Sequence, residues 1–174
     1  MRIQQVSIPI IISSLENHKE IKNSLLDLIN KNRKKNFNAI SNTDWLDNKN
    51  LNREYVNLFL RAAENHIKKV YEALGYLTYN IQNVWFQQYE NDSYHSWHVH
   101  PASNFTNIYY LELPRKELVT EIKDPMNINK FLEIDLNEGD MITMPSHLIH
   151  RSPKNFCEKR KTVIAFNCSV YKPK

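Results

Sequence analysis

The sequence predicts an α+β fold with a helical N-terminal region over residues 1–78 and an all-β region over residues 79–171. Apolar residues recur at helical spacing in the first region, whereas short runs of β-branched and aromatic residues follow from Tyr79 onward. Short strands without intervening helices favour a sandwich, barrel or jelly roll over a sheet of βαβ units. Because 174 residues suit one compact domain, we expect a single domain, 1–174, in which the helices brace the sheet.

The N-terminal region contains signals for one strand and two helices. Met1–Ile12 is rich in β-branched residues, which is typical of a strand. A first helix is predicted after Ser14, because apolar residues then recur every three or four positions up to the basic segment Lys31–Lys35. A second helix is predicted over Tyr55–Leu74, and Gly75 fits the position just beyond a helix end, where glycine is common.

The C-terminal region divides into six candidate strands. Each is a short run rich in Val, Ile, Thr, Tyr or Phe, bounded by residues that favour turns. The six strands are Ile81–Tyr89, Phe105–Leu113, Leu118–Ile122, Phe131–Leu136, Asp140–Met144 and Thr162–Val170. Together they make this part of the chain all-β.

The composition excludes some function classes. Hydrophobic residues make up 41% of the chain and aromatic residues 11%, so the protein has enough apolar surface for a folded core. The only glycines are Gly75 and Gly139, which excludes glycine-rich loops that hold phosphates or dinucleotides. Cys157 and Cys168 lack C-x-x-C spacing, which indicates reduced thiols in a reducing compartment.

The charge pattern predicts an ordinary basic surface, and the hydropathy pattern predicts a cytoplasmic protein. The net charge is +4 and the isoelectric point is near 9.0, with the excess spread over lysine-rich segments. This leaves a nucleic-acid partner open without implying one. No apolar run approaches the roughly 20 residues that span a bilayer, and Met1–Ile12 lacks the pattern of a signal peptide. We therefore expect no membrane partner.

Histidines supply the main functional signal. His98 and His100 are two residues apart, and residues i and i+2 of an extended segment point to the same side, so their imidazoles can bind one metal ion. His150 follows a predicted buried strand and is a candidate third ligand. Three imidazoles leave coordination positions open on an octahedral ion for a substrate or oxygen. Taken singly, each histidine also fits a surface or hydrogen-bonded core position.

A second signal follows ten residues after His150, where Arg160 and Thr162 lie at the start of a predicted buried strand. Alternation places both side chains on one face of that strand. A guanidinium group has parallel N–H donors that match the two oxygens of a carboxylate, and a hydroxyl adds a third donor. The pair therefore suits a carboxylate ligand, although Arg160 alone equally fits a salt bridge at a sheet edge.

These residues resemble the motifs of the Fe(II)/2-oxoglutarate-dependent oxygenases, especially the small prolyl-hydroxylase-like proteins of bacteria and their phages. The resemblance covers about Val84–Val170. That family pattern is H-x-D or H-x-E, then a distant His, then R-x-S or R-x-T. The matching stretches are Trp85–Tyr89, Trp97–Ser103, Asn107–Leu111, Gly139–His150 and Arg160–Asn167.

The resemblance implies a double-stranded β-helix of the jelly-roll, cupin-like type, and a hydroxylase that uses Fe(II), 2-oxoglutarate and molecular oxygen. By position, His98 is the first metal ligand, His100 takes the place of the carboxylate, and His150 is the distal ligand. Arg160 and Thr162 would bind the far carboxylate of 2-oxoglutarate. Tyr109, Asn107 and Asn167 are further candidates for contact with this co-substrate. A phage origin would place the protein in the host cytoplasm.

The H-x-H-P variant departs from the family pattern at His100. A carboxylate lowers the formal charge of an Fe(II) site by one, whereas a neutral imidazole leaves it unchanged. Alternatives to His100 as the third ligand are His95 and three nearby acids, Asp92, Glu90 and Glu112.

Two other functions stay open at this point. One is a cupin-like three-His metal enzyme that does not use 2-oxoglutarate, and the other is a non-catalytic metal-binding member of the fold. No stretch of the sequence identifies the substrate or the oligomeric state.

Overall fold

The computed structural model describes residues 7–31 and 40–171. Most of the predicted basic segment Lys31–Lys35 and the first half of the predicted strand Met1–Ile12 lie outside these residues. The N-terminal elements are β1 (Ile11–Ser14), α1 (His18–Lys31), β2 (Asn42–Thr43), a 3₁₀ turn (Trp45–Asp47) and α2 (Glu54–Ala73). Eight strands follow, namely β3 (Thr78–Tyr89), β4 (His95–His98), β5 (Phe105–Glu112), β6 (Glu121–Asp124), β7 (Asn127–Phe131), β8 (Asp140–Pro145), β9 (His150–Ser152) and β10 (Lys161–Tyr171).

The strands form two antiparallel sheets that face each other. The major sheet has the order β1-β8-β5-β10-β3-β2, and the minor sheet has the order β4-β9-β6-β7. One buried cluster fills the space between them, with Trp85, Ile142 and Val163 from the major sheet and Ile122 from the minor sheet. The two-sheet sandwich without βαβ units agrees with the predicted fold class.

The two helices cover the outer face of the major sheet. Buried residues recur along one side of α2, from Tyr55 and Phe59 through Ile67 to Tyr71, and they join the sheet residues in a second buried cluster. Burying each such side chain contributes about 1.5–3 kcal/mol. The predicted bracing of the sheet by helices is thus confirmed. Neither described helix is long and apolar enough to cross a membrane.

Gly75 lies just beyond the end of α2, as predicted. Its φ is +82°, a left-handed conformation that costs glycine little. Its N–H donates to the carbonyl of Glu72 at 2.9 Å, and the N–H of Tyr76 donates to the carbonyl of Tyr71 at 2.9 Å. This pair of hydrogen bonds defines a Schellman motif, which satisfies carbonyls at the helix end.

Two of the predicted strands lie elsewhere. The first part of Leu118–Ile122 is the end of a 3₁₀ turn, and β6 begins only at Glu121. The strand predicted over Phe131–Leu136 instead ends at Phe131, because Asp124 accepts a hydrogen bond from the N–H of Met126 at 2.8 Å and closes an earlier hairpin between β6 and β7.

Both faces of β5 and β10 are buried. Along β10, Ile164 and Phe166 belong to the helix-side cluster, whereas Val163 and Ala165 belong to the cluster between the sheets. The major sheet therefore separates a helix-packed core from a sandwich interior. Neighbouring residues on these strands face different environments.

Candidate metal centre

Three histidines meet at one end of the sandwich interior. His98 ends β4 and His150 begins β9, and the two residues are direct partners in the antiparallel pairing of these strands. His100 lies two residues beyond β4. One ligand atom from each histidine lies within 4.8 Å of the others. The predicted group of His98, His100 and His150 is therefore brought together by the fold.

Backbone carbonyls orient two of the three rings. Nδ1 of His98 lies 2.7 Å from the carbonyl oxygen of Ser96, and Nδ1 of His150 lies 2.8 Å from that of Leu148. A ring nitrogen that donates to a carbonyl carries the proton, so the lone pair of Nε2 is available to a metal. Both rings therefore have the tautomer that a metal site requires.

His100 is fixed through its backbone and its ring. Its N–H donates to the carbonyl of Ser146 at 2.8 Å, which ties the residue to the turn after β8. Its Nδ1 lies 3.3 Å from the side-chain amide of Asn167 on β10. Asn167 thus faces the histidines, and its contact with the co-substrate stays a prediction.

The electrostatics of the group also fit a metal ion. Burial, followed by the neighbouring His98, lowers the pKa of His150 to about 3 and that of His100 to about 4. Burial lowers the pKa of His98 as well. All three imidazoles are therefore neutral near pH 7, which is the form that binds metals. Neutral nitrogen donors of this kind suit Fe, Zn, Cu and Ni ions.

The alternative ligands lie outside the group. The ring centroid of His95 lies 4.1 Å from that of His98, but His95 does not join the three ligand atoms. Asp92 pairs with Lys154 at 2.7 Å, and Glu112 pairs with Arg160 at 2.8 Å. Over residues 7–31 and 40–171, no Asp or Glu forms a metal-binding group with the histidines.

A lysine occupies the same interior cavity. Lys161 is only 1% exposed, and its Nζ donates to Ser152 Oγ at 2.8 Å and to the carbonyl of Leu118 at 2.5 Å. The rings of Tyr89 and Tyr110 lie 5.1 and 5.5 Å from it. Burial lowers the pKa of Lys161 to about 7. Among the described residues it has no acidic partner within ion-pair distance, although the charge of Glu121 partly offsets the effect of burial on its pKa.

The structure corrects the placement of Arg160 and Thr162. Nε of Arg160 donates to Glu112 at 2.8 Å, and the hydroxyl of Thr162 donates to the same carboxylate. Neither residue lines the cavity with the histidines. Successive residues of a strand point to opposite faces, so Lys161, which lies between them, is the residue that points into the cavity.

Tyr109 and Asn107 also lie on the helix side of the major sheet. The hydroxyl of Tyr109 is 2.6 Å from Nδ1 of His18 on α1. The amide of Asn107 donates to the hydroxyl of Tyr71 on α2 at 2.9 Å. The interior face of β5 instead presents Thr106, Ile108 and Tyr110. The co-substrate candidates on β5 therefore lie on the face of the sheet opposite the cavity, and the residues next to them in sequence lie on the cavity side.

One feature of the sequence does point to Lys161. A lysine inside an otherwise apolar buried strand is unusual, because lysine is almost never fully buried without a partner. The segment Lys161–Phe166 contains such a lysine. The hydroxyls near it, Thr120 and Ser152, carry no comparable signal because threonine and serine are common in strands and turns.

The comparisons with known proteins find similarity only at the level of structure. No protein-family profile and no curated protein matches the sequence. A viral collagen prolyl hydroxylase from Paramecium Bursaria Chlorella virus-1, solved with 2-oxoglutarate, has a TM-score of 0.64 at 14% identity over 94% of this chain and 96% of that one. The non-heme alpha-ketoglutarate-dependent epimerase SnoN from nogalamycin biosynthesis has a TM-score of 0.71 at 11% identity, over 92% and 77%.

A third similar structure is HygX from Streptomyces hygroscopicus, solved with nickel, 2-oxoglutarate and hygromycin B. Its TM-score is 0.66 at 9% identity, over 93% of this chain and 83% of that one. These likenesses confirm the predicted fold, which is the double-stranded β-helix of the 2-oxoglutarate oxygenases. At such low identity these likenesses show the fold alone, so the function must be argued from the residues of the site.

Proposed function

We propose that this protein is an Fe(II)- and 2-oxoglutarate-dependent oxygenase of the hydroxylase type. The observation that carries the proposal is the placement of Lys161, a buried amine without an acidic partner within ion-pair distance, in the same cavity as His98, His100 and His150. A buried charge is costly unless it is paired. A dicarboxylate between Lys161 and the metal would pair it; because the volume of this cavity is about 30 Å³, the lining side chains must move apart to admit the ligand.

In this proposal the three histidines would hold Fe(II), and the carbonyls of Ser96 and Leu148 set the tautomers of His98 and His150. Bound Fe(II) with 2-oxoglutarate supplies the redox chemistry by which this class of enzyme uses molecular oxygen. Lys161 replaces Arg160 as the partner of the far carboxylate. A lysine is a point charge without a fork, so neighbouring hydroxyl donors would fix the orientation of the carboxylate.

Those donors are present around Lys161. The hydroxyl of Thr120 accepts from Tyr110 at 2.7 Å and that of Ser152 accepts from Lys161 at 2.8 Å, so each of these two hydroxyls can donate its own proton to a ligand. Burial beside Lys161 raises the pKa of Tyr89, so its hydroxyl keeps its proton and donates it to the side chain of Gln87. The remaining walls are apolar, from Ile108, Val163 and Ala165 among others, and they exclude water from the bound group.

The similar structures support this assignment. The viral prolyl hydroxylase and HygX were solved with 2-oxoglutarate, and HygX also with nickel. SnoN is described as an epimerase, so the shared fold serves more than one reaction. Hydroxylation and an unidentified substrate therefore form the finer part of the proposal, together with a cytoplasmic location, which the two free cysteines support.

The test is turnover of the co-substrate. Fe(II)-loaded protein, given 2-oxoglutarate and oxygen, should form succinate at a slow rate even without a substrate, and NMR can follow both acids. His150→Ala should abolish succinate formation, and wild type without oxygen should form none. If the loaded wild type binds 2-oxoglutarate but forms no succinate with any candidate substrate, the oxygenase proposal fails.

The ligand set favours one competing function. Three imidazoles without a carboxylate also fit a cupin-like metal enzyme that acts directly on its substrate without 2-oxoglutarate. Such an enzyme would have no use for an unpaired Lys161. Absence of 2-oxoglutarate binding at millimolar concentration to the metal-loaded protein would favour this second function.

A further inference from the structure

A second cavity opens from His98 and His100 toward solvent, and we call it the outer groove. Its volume is about 510 Å³. It shares Trp85, Gln87 and the histidines His95, His98 and His100 with the inner cavity that contains Lys161. The outer groove is therefore continuous with the candidate metal centre on the side away from Lys161.

The two cavities differ in charge. Of the described residues that line the outer groove, none is a lysine, arginine, aspartate or glutamate. Apart from the imidazoles, its polar side-chain groups are the indole N–H groups of the two tryptophans, together with hydroxyls and one amide, from Ser41, Thr43, Tyr94, Ser96 and Gln87. The inner cavity, by contrast, contains Lys161 and Arg151. The described walls thus suit an anion in the inner cavity and an uncharged ligand in the outer groove.

Aromatic rings form much of the outer groove. Trp45 lies edge-on to Trp85, with ring centroids 4.6 Å apart and an interplanar angle of 84°. Its ring centroid is 6.4 Å from that of His100. Trp45 and Tyr94 are each 41% exposed, so both rings present surface to a ligand. An exposed indole beside a reactive site is suited to stack against a planar ring.

The segment that carries Trp45 is anchored to the major sheet. The carboxylate of the preceding residue, Asp44, accepts hydrogen bonds from the hydroxyl of Tyr55 at 2.7 Å and from the N–H of Phe86 at 2.9 Å, and it also pairs with Arg53. Because helix α2 and strand β3 both hold Asp44, Trp45 is fixed before a ligand arrives. A prearranged wall lowers the entropic cost of binding.

Gln87 supplies a directed donor where the two cavities meet. Its carboxamide oxygen accepts a hydrogen bond from the hydroxyl of Tyr89, which fixes the orientation of the amide. Its NH₂ group donates to no other described residue, and this nitrogen is not among the buried atoms that lack a partner, so it is accessible to a ligand in the cavity. A ligand carbonyl, ether or hydroxyl oxygen beside the metal centre would satisfy this donor.

We propose that the outer groove is the substrate site and that it binds an uncharged group with a planar ring, stacked on Trp45 and hydrogen-bonded by Gln87. This inference rests on the proposed function, because only that function divides the co-substrate and substrate between the two cavities. The described walls favour an uncharged group over a carboxylate or a phosphate at the histidines.

The experiment uses three probes that share an indole ring and differ in charge, namely neutral indole-3-acetamide, anionic indole-3-acetate and cationic tryptamine. Saturation-transfer NMR on the full-length protein should show that the amide binds at least about fivefold more tightly than either charged probe. Trp45→Ala should weaken amide binding by at least about fivefold. Leu46→Ala removes a fully exposed neighbour outside the groove and should leave binding unchanged.

Two further measurements localise the effect. Mn(II) loading should broaden the resonances of the bound amide, since Mn(II) at the histidines would lie beside the groove. Trp45→Leu keeps an apolar side chain and should still lose affinity, which separates loss of stacking from loss of folding. Equal binding of the charged probes, or no binding of the amide, would overturn the inference. Because 2-oxoglutarate binds in the inner cavity, its own titration would show separately whether the proposed function fails.

Discussion

At the scale of single residues, the metal centre depends on how each imidazole is held. His98 and His150 pair across two strands and have their Nδ1 atoms at backbone carbonyls, whereas His100 is held through Ser146 and Asn167. Side-chain substitutions elsewhere cannot easily disturb carbonyl contacts. The ligand geometry is therefore built largely into the backbone.

Removal of one ligand should lower metal binding sharply. His98→Ala or His150→Ala leaves two imidazoles, so we expect the purified variant to retain less than about a tenth of the bound divalent metal, given the ten- to hundredfold losses seen even for outer contacts. Elemental analysis after dialysis measures this content. His147→Ala is the matched control, because His147 is exposed and outside the group. Unchanged metal content in both ligand variants would contradict the assignment.

Lys161 should reduce stability while its site contains no anion. Burial lowers its pKa from 10.5 to about 7, so between these pH values the unfolded chain binds a proton that the folded chain does not. The cost is fully present below about pH 7 and disappears as the pH rises toward 10.5. The buried amine is thus more costly at neutral pH than at alkaline pH.

Replacement of Lys161 by methionine should therefore stabilise the metal-free protein. We expect Lys161→Met to raise the free energy of unfolding by more than about 1 kcal/mol at pH 7, and by less at pH 9.5. Urea denaturation of both proteins at the two pH values measures the difference. If the substitution raises the free energy of unfolding equally at both pH values, or lowers it at both, then protonation of the buried amine does not destabilise the folded protein.

At the scale of elements, the turn before β8 places the edge of the major sheet against α1. Gly139 has φ +91°, its N–H donates to the carbonyl of Tyr110 at 2.9 Å, and its carbonyl accepts from the N–H of Leu15 at 3.0 Å. A Cβ added there would lie 2.9 Å from Cγ of His18, whose ring is held by Tyr109. This turn therefore requires glycine for both its conformation and its space.

Gly139→Ala should destabilise the protein more than Gly75→Ala. Both positions have positive φ, which costs an alanine roughly 1–2 kcal/mol. Only Gly139 adds a steric clash, since a Cβ on Gly75 would meet nothing within 4 Å. We expect the first substitution to cost at least about 1 kcal/mol more than the second. Chemical denaturation measures both costs, and equal costs would mean that His18 moves aside freely.

The positions of helices and strands were predictable from the sequence, whereas the side of the sheet to which each strand residue points was less so. Helix α2, its Gly75 end and strands β3, β5, β8 and β10 follow from periodicity and turn residues. Which face of β5 or β10 meets the site could not be predicted, because both faces are buried and hydrophobic alternation is lost. A shift of one residue then exchanges Lys161 for Arg160 and Tyr110 for Tyr109.

The histidines were predictable because their geometry is local. His98 and His100 share a side through their spacing, and any strand end that meets them can supply the third ring. The outer groove was not predictable, since Trp45 reaches the site through the contacts of Asp44 with α2 and β3, which are distant in sequence. Tertiary contacts of this kind leave no periodic signal.

At the scale of the whole molecule, the major sheet separates the helix-packed core from the interior of the sandwich. Its outer face packs on two helices and contains Arg160, Thr162, Asn107 and Tyr109, whereas its inner face lines the cavity with the three histidines. The central claim is that Lys161, on the inner face, binds the far carboxylate of 2-oxoglutarate. Arg160, one residue away on the outer face, is an internal control for this claim.

The most direct test is calorimetric titration of 2-oxoglutarate into Mn(II)-loaded protein without oxygen, with wild type, Lys161→Met and Arg160→Ala compared at equal metal content. Loss of a buried charge pair costs about 2–5 kcal/mol, so Lys161→Met should weaken binding by at least about thirtyfold. Arg160→Ala should stay within about threefold of wild type, because its guanidinium pairs with Glu112 on the other face. Loss of binding in Arg160→Ala with retention in Lys161→Met would contradict the claim.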